Sequence, residues 1–178
     1  MAITRLGPNN STNISGINLT SQVTGTLPTA NGGTGATSFS PGKVLQIVNG
    51  STTTQVGVTA SNAADTGLSA SITPSATSSK VLIIANHGLF TKSSHTTYCN
   101  FHLKRDSLDI YSINNAFYSE NDGQLRLPTH SFSFLDSPST TSATTYLTRI
   151  SCPSGSSGTI YSQYQNMQST IQLLEIGA

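Results

Sequence analysis

From about residue 44 onward, apolar residues recur at every second position, and no window shows the three-to-four spacing of an amphipathic helix. In residues 98–105, Cys99, Phe101 and Leu103 point one way, while Tyr98, Asn100, His102 and Lys104 point the other. In residues 144–152, Tyr146, Thr148 and Ile150 oppose Leu147 and Arg149. Leu68, Ala70 and Ile72 alternate with serines, and Phe132 and Phe134 repeat the pattern. Shorter strands are predicted at 44–48, 52–59, 108–112, 158–164 and 171–176, the last with Glu175 outward. Residues 81–85 are apolar at every position, which predicts a central strand buried on both faces. Asn49-Gly50, Pro74, Asp106-Ser107, and the Ser/Gly-rich stretch at 153–158 punctuate these strands as turns. Residues 114–128 lose the period and read as a long loop with one short strand. Eight to ten short strands with long connections predict an all-β jelly-roll sandwich, whose double sheet limits exposed edges.

The first 42 residues differ. Ile3, Leu6, Ile14, Ile17, Leu19 and Leu27 stand singly in a polar field, too few to enclose a core. Residues 1–42 are therefore expected to form an extended N-terminal attachment arm that gains order against other chains, and 43–178 to form the sandwich head. Fully extended, an arm of roughly 40 residues reaches over 100 Å, at about 3.3 Å per residue.

Residues 25–35, GTLPTANGGTG, followed by Lys43-Val44-Leu45-Gln46, resemble the connector found in fibre and appendage proteins of tailed bacteriophages. Residues 66–80, TGLSASITPSATSSK, the 103–110 hairpin and the terminal IQLLEIGA resemble phage-encoded heads with a TNF/C1q-like jelly roll. The hairpin departs from the common form in carrying Ser107 where a glycine is usual. The resemblance implies a virion component assembled in the host cytoplasm. It implies a homotrimer, an arm that docks on other virion proteins, and a head that can touch a host-surface glycan or protein. A short tail appendage and a capsid decoration or head-fibre protein both fit it; a polysaccharide-degrading enzyme is a third alternative.

Composition agrees with such a protein. Charged residues are 8% of the chain, against about 25% in ordinary soluble domains. Serine and threonine supply roughly 30%, so solubility rests on hydroxyls and amides. The net charge is +1 with the charges scattered, which gives no basic stripe for nucleic acid. The longest apolar run is too short to span a bilayer, and the first ten residues lack the apolar core of a secretory leader. Cys99 and Cys152 are the only cysteines; two buried thiols are expected, with a pair open if their strands are neighbours.

The search for chemistry finds little. Lys43 follows Gly42 but is followed by valine, so no phosphate loop forms; no nucleotide-binding glycine motif and no G-x-S-x-G elbow occurs. No cofactor is expected. His87, His95, Cys99 and His102 are dense in sequence, but Cys99 and His102 fall on opposite faces of one strand, so no metal site is expected. The acids are scattered; Asp106 with Asp109, and Glu120 with Asp122, are the nearest pairs a glycosidase could use. The remaining candidate is a binding surface of Phe117, Tyr118 and Asn121 in the irregular stretch, with Tyr161 and Tyr164 in a Tyr/Gln/Asn cluster. Tyrosines beside amides make rigid amphipathic contacts.

Overall fold

The computed structural model describes residues 44–93, 96–119, 125–127 and 129–177, apart from the side chains of Tyr118, Ser119, Leu125 and Leu127. All of these lie in the unit Gly42–Ala178. The arm residues Ile3, Leu6, Ile14, Ile17, Leu19 and Leu27, together with His95, Glu120, Asn121 and Asp122, fall outside the described residues.

The body consists of twelve described strands. They are β1 (Val44–Thr52), β2 (Val56–Val58), β3 (Asn62–Ile72), β4 (Lys80–His87), β5 (Phe90–Lys92) and β6 (Thr97–Arg105), then β7 (Leu108–Ser119), β8 (Leu125–Leu127), β9 (His130–Asp136), β10 (Thr144–Cys152), β11 (Ile160–Ser162) and β12 (Ser169–Ile176). Two four-stranded sheets carry the long strands, in the orders β1-β12-β4-β9 and β3-β10-β6-β7. This is a jelly-roll interleaving: apart from the β6–β7 hairpin, which stays within one sheet, the chain passes from each long sheet to the other. A third sheet, β2-β11-β5-β8, is built from the four three-residue strands on the connections between them. Because neighbouring long strands are antiparallel, all four connections lie at one end of the sandwich. The small sheet closes that end.

The alternation predicted for 98–105 and 144–152 is present: β6 and β10 bury every second residue. One cluster joins the long sheets through Leu68, Ile72, Val81, Ile83, Tyr146 and Leu173. A second, under the small sheet, gathers Val58, Phe90, Phe101, Ile150 and Ile160 with Cys99 and Cys152. Phe132 packs against both. The two cysteines are buried free thiols, and burial, with the neighbouring Cys152, pushes the Cys99 thiol up to about 12. Hydroxyls do pair across strands. Thr66 and Thr148 bond at 2.5 Å in the interior, and Ser71 and Thr145 at 2.7 Å nearer the surface.

Three local expectations change. Residues 114–119 are not loop but the end of β7. Phe101 pairs Ile113 while Cys99 pairs Phe117, so β7 carries two extra residues there. Asn115 turns to φ 53° at this bulge, and its N–H donates to the Asn100 side chain at 2.9 Å. The extra residues interrupt the ladder, which is why alternation disappears from the sequence there. β4 is not buried on both faces, because Leu82 and Ile84 on its outer side are only half covered. Glu175 is buried rather than outward. Its carboxylate accepts from Gln46 Nε2 (2.6 Å) and from the N–H (2.7 Å) and hydroxyl (2.6 Å) of Ser75.

The Asp106-Ser107 turn forms as predicted, with Asp106 at φ 52°. Asp106 also bonds Thr145 in both directions, N–H to carbonyl at 2.7 Å and Thr145 N–H to Oδ1 at 2.9 Å. An aspartate tolerates the left-handed region when its side chain is held locally, so this hairpin closes without a glycine.

Acid should loosen the fold in a defined window. His87 and His130 face one another across β4 and β9 among Phe90, Phe101, Phe117 and Phe132. The Nε2 atom of each is buried without a hydrogen-bond partner. Burial, with His130 adding to it, lowers His87 from 6.5 to about 3, and burial lowers His130. Burial alone raises Glu175, but the bonds from Ser75 and Gln46 outweigh it and bring the carboxyl from 4.5 to about 2. All three folded-state values lie below the unfolded ones, so the unfolded chain binds more protons in acid. Stability from the histidines is complete above about pH 6.5 and drains away on acidification. The Glu175 contribution follows below about pH 4.5. Urea midpoints should therefore fall continuously from about pH 7 to about pH 3, and a His87→Gln/His130→Gln variant should lose the upper part of that slope.

Candidate functional site

Two features of the β1-β12-β4-β9 sheet face outward, away from both core clusters. The first is an apolar row. Ile47 pairs Leu174, Leu174 pairs Leu82, and Leu82 pairs Leu135, so four strands place four aliphatic side chains side by side. Ile47 is 58% exposed and Leu135 51%, with Leu174 and Leu82 half-buried between them. Val44 and Leu45, also exposed, extend it along β1. The strip is contiguous across the whole sheet, unlike exposed leucines scattered singly, which are ordinary on a protein surface.

The second feature begins one outward row further along the strands, about 7 Å away at two residues' rise. There Asn49 pairs Gln172 and Ser51 pairs Thr170. With Gln168, these side chains surround a groove of about 330 Å³ whose lining also includes Gly50 and Ile171. Gly50 is required at its position: a Cβ there would lie 2.1 Å from the Ser69 carbonyl oxygen of the facing sheet. The sequence reading missed this groove. Its two walls come from opposite ends of the body and meet only through the β1–β12 pairing.

The sequence-predicted surface residues are divided. Tyr161 lies on β11 and Tyr164 in the 3-10 turn that follows, with ring centroids 6.1 Å apart. The Arg126 guanidinium sits 5.8 Å from the Tyr164 ring. The Tyr161 ring lies against Gly57, where a Cβ would approach it to 2.9 Å. The turn is held by Gln163, buried at φ 50°. The Gln163 Nε2 donates to the carbonyls of Thr54 and Thr66 (3.2 Å each), and its Oε1 accepts from the Ser169 hydroxyl (2.8 Å). Phe117 does not belong to this patch. Its ring packs 4.9 Å from Phe90 and 5.5 Å from His130, half-buried against the core cluster beneath the small sheet. The Tyr118 backbone lies in β7, and Asn121 falls outside the described residues.

The ionisable residues do structural work. Arg105 Nη1 donates to both oxygens of Asp136 (3.0 and 2.8 Å), and the buried Tyr146 hydroxyl donates to Asp136 Oδ2 at 2.7 Å. Burial and this bond to Asp136 push the Tyr146 hydroxyl far up. Asp65 lies 3.7 Å from Arg149, and Asp109 lies 3.6 Å from His102. Cys99 faces the core, while His102 on the other side of β6 bonds Ser151 at 3.0 Å. Among the described residues, no three His, Cys, Asp or Glu side chains are grouped to hold a metal ion.

No protein-family model matches the chain, and no curated protein matches it. Among solved structures, it shows a likeness to the D431N mutant VP2 protein of infectious bursal disease virus, from derived T=1 particles. The identity is 14% and the TM-score 0.38, and the match covers 73% of this chain. The chain spans 36% of the length of that protein.

Proposed function

We propose that the chain is a structural subunit of a bacteriophage virion, a trimeric short appendage anchored by residues 1–42 and presenting the jelly-roll head. The observation that carries this reading is the row Ile47–Leu174–Leu82–Leu135. An aliphatic strip across a sheet of a weakly charged chain favours burial against another surface, at about 25 cal/mol per Å² of apolar area. The occupant is a second copy, in keeping with the trimeric heads that residues 66–80 and IQLLEIGA resemble. The work of the protein is assembly, not catalysis. Each described carboxylate is engaged by a neighbour within the fold, which suits a scaffold better than an acid–base pair poised over a substrate. No cofactor enters this mechanism.

Purified particles give the test. An antibody against the head should decorate intact virions, and quantitative mass spectrometry should find the chain there in a multiple of three copies. A chain confined to the host lysate and missing from particles would overturn the proposal.

A further inference from the structure

The groove between β1 and β12 is a second kind of surface, one outward row beyond the apolar strip, and residues of a single chain line it. Five side chains converge on its space of about 330 Å³: Asn49, Ser51, Gln168, Thr170 and Gln172. Three are amides and two are hydroxyls. All five are exposed or half-exposed, and their polar side-chain atoms make no hydrogen bonds within the described fold, unlike Gln46, Gln163 or Thr66 nearby in sequence or space. Asn49 and Gln172 stand directly opposite one another, as do Ser51 and Thr170. Rigid strands thus present two facing pairs of uncommitted donors and acceptors.

We infer that this groove binds an uncharged saccharide. Among the described residues no charged side chain lines it, so none of them offers a phosphate or carboxylate a counter-ion there. An amide donates through nitrogen and accepts through oxygen, and a hydroxyl does both, which matches the donor-and-acceptor character of neighbouring sugar hydroxyls. Ligand pockets begin at about 300 Å³, so the space suits one or two sugar rings. An extended peptide would instead pair with the backbone edge of β1, the outermost strand of its sheet among the described residues. The side-chain amides would then remain unused.

The test uses the full chain. It is applied to an immobilised panel of uncharged oligosaccharides, with charged glycans and extended peptides as separate arms. The best uncharged binder is then titrated by nuclear magnetic resonance, reading the side-chain amide signals of Asn49, Gln168 and Gln172. The expected result is binding in the uncharged arm and saturable shifts of those three signals. Asn49→Ala/Gln172→Ala should weaken affinity about tenfold or more, with an unchanged melting temperature showing that the variant is folded. Leu108→Asp, at the exposed hairpin, should bind as the parent does. The inference is overturned if no uncharged saccharide binds, if only the charged or peptide arm does, or if the folded double variant keeps its affinity.

Discussion

Replacing Leu174 with aspartate is expected to split the proposed trimer into folded monomers. Leu174 lies in the middle of the apolar row, paired with Ile47 on one side and Leu82 on the other. Its side chain points away from the core, so a carboxylate there remains hydrated in the monomer and costs the fold little. Buried against another copy, the same carboxylate loses its water without gaining a partner, a penalty of several kcal/mol for each subunit. About 4 kcal/mol is already a thousandfold in association. Leu82→Asp should behave alike. Leu108→Asp is the control: Leu108 is 56% exposed at the start of β7 and lies off the row. Light scattering reads the outcome. Retention of the parental mass by both row variants would remove this sheet face from the assembly.

The second large effect is internal. Asp136→Ala should lower folding stability by about 3 kcal/mol, the range for breaking a buried ion pair from one side. Asp136 is 8% exposed and ties β9 to two other strands, through Arg105 on β6 and Tyr146 on β10. Its loss strands a buried phenol and a partly buried guanidinium together. Tyr146→Phe removes only one bond, and about 1 kcal/mol is expected. Urea denaturation of the two single variants and the double variant measures the coupling. If the effects add with no interaction energy, the Arg105–Asp136–Tyr146 network is not a unit.

Much of this architecture was legible in the chain. Strict alternation in 98–105 and 144–152 identified two interior strands, and the turn residues between strands indicated a sandwich. What failed has local causes. The two-residue bulge at Asn115 interrupts the alternation of β7, so a real strand reads as loop. Glu175 shares the parity of the buried Ile171 and Leu173, yet its charge led to an outward expectation, because the partners Gln46 and Ser75 are remote in sequence. The uninterrupted apolar run in β4 suggested cover on both faces. Half of it instead contributes Leu82 to an open row that no other element of the described body covers. In the small closing sheet, β2 and β11 fall within the predicted strands 52–59 and 158–164, whereas the three-residue β5 and β8 are too short for periodicity to register. The aromatic residues chosen as a surface divide by parity as well. Tyr161 faces outward between the buried Ile160 and Ser162, whereas Phe117 is drawn inward by the cluster around Phe90. The saccharide groove was invisible for a different reason: Asn49 and Gln172 are unremarkable amides until β1 and β12 pair.

The most direct measurement is the solution mass of the purified full-length chain, whose subunit is 18.6 kDa, by light scattering across a dilution series. A trimer, at three times the subunit mass and lost in Leu174→Asp, is the result this account predicts. A monomer at every concentration would contradict it.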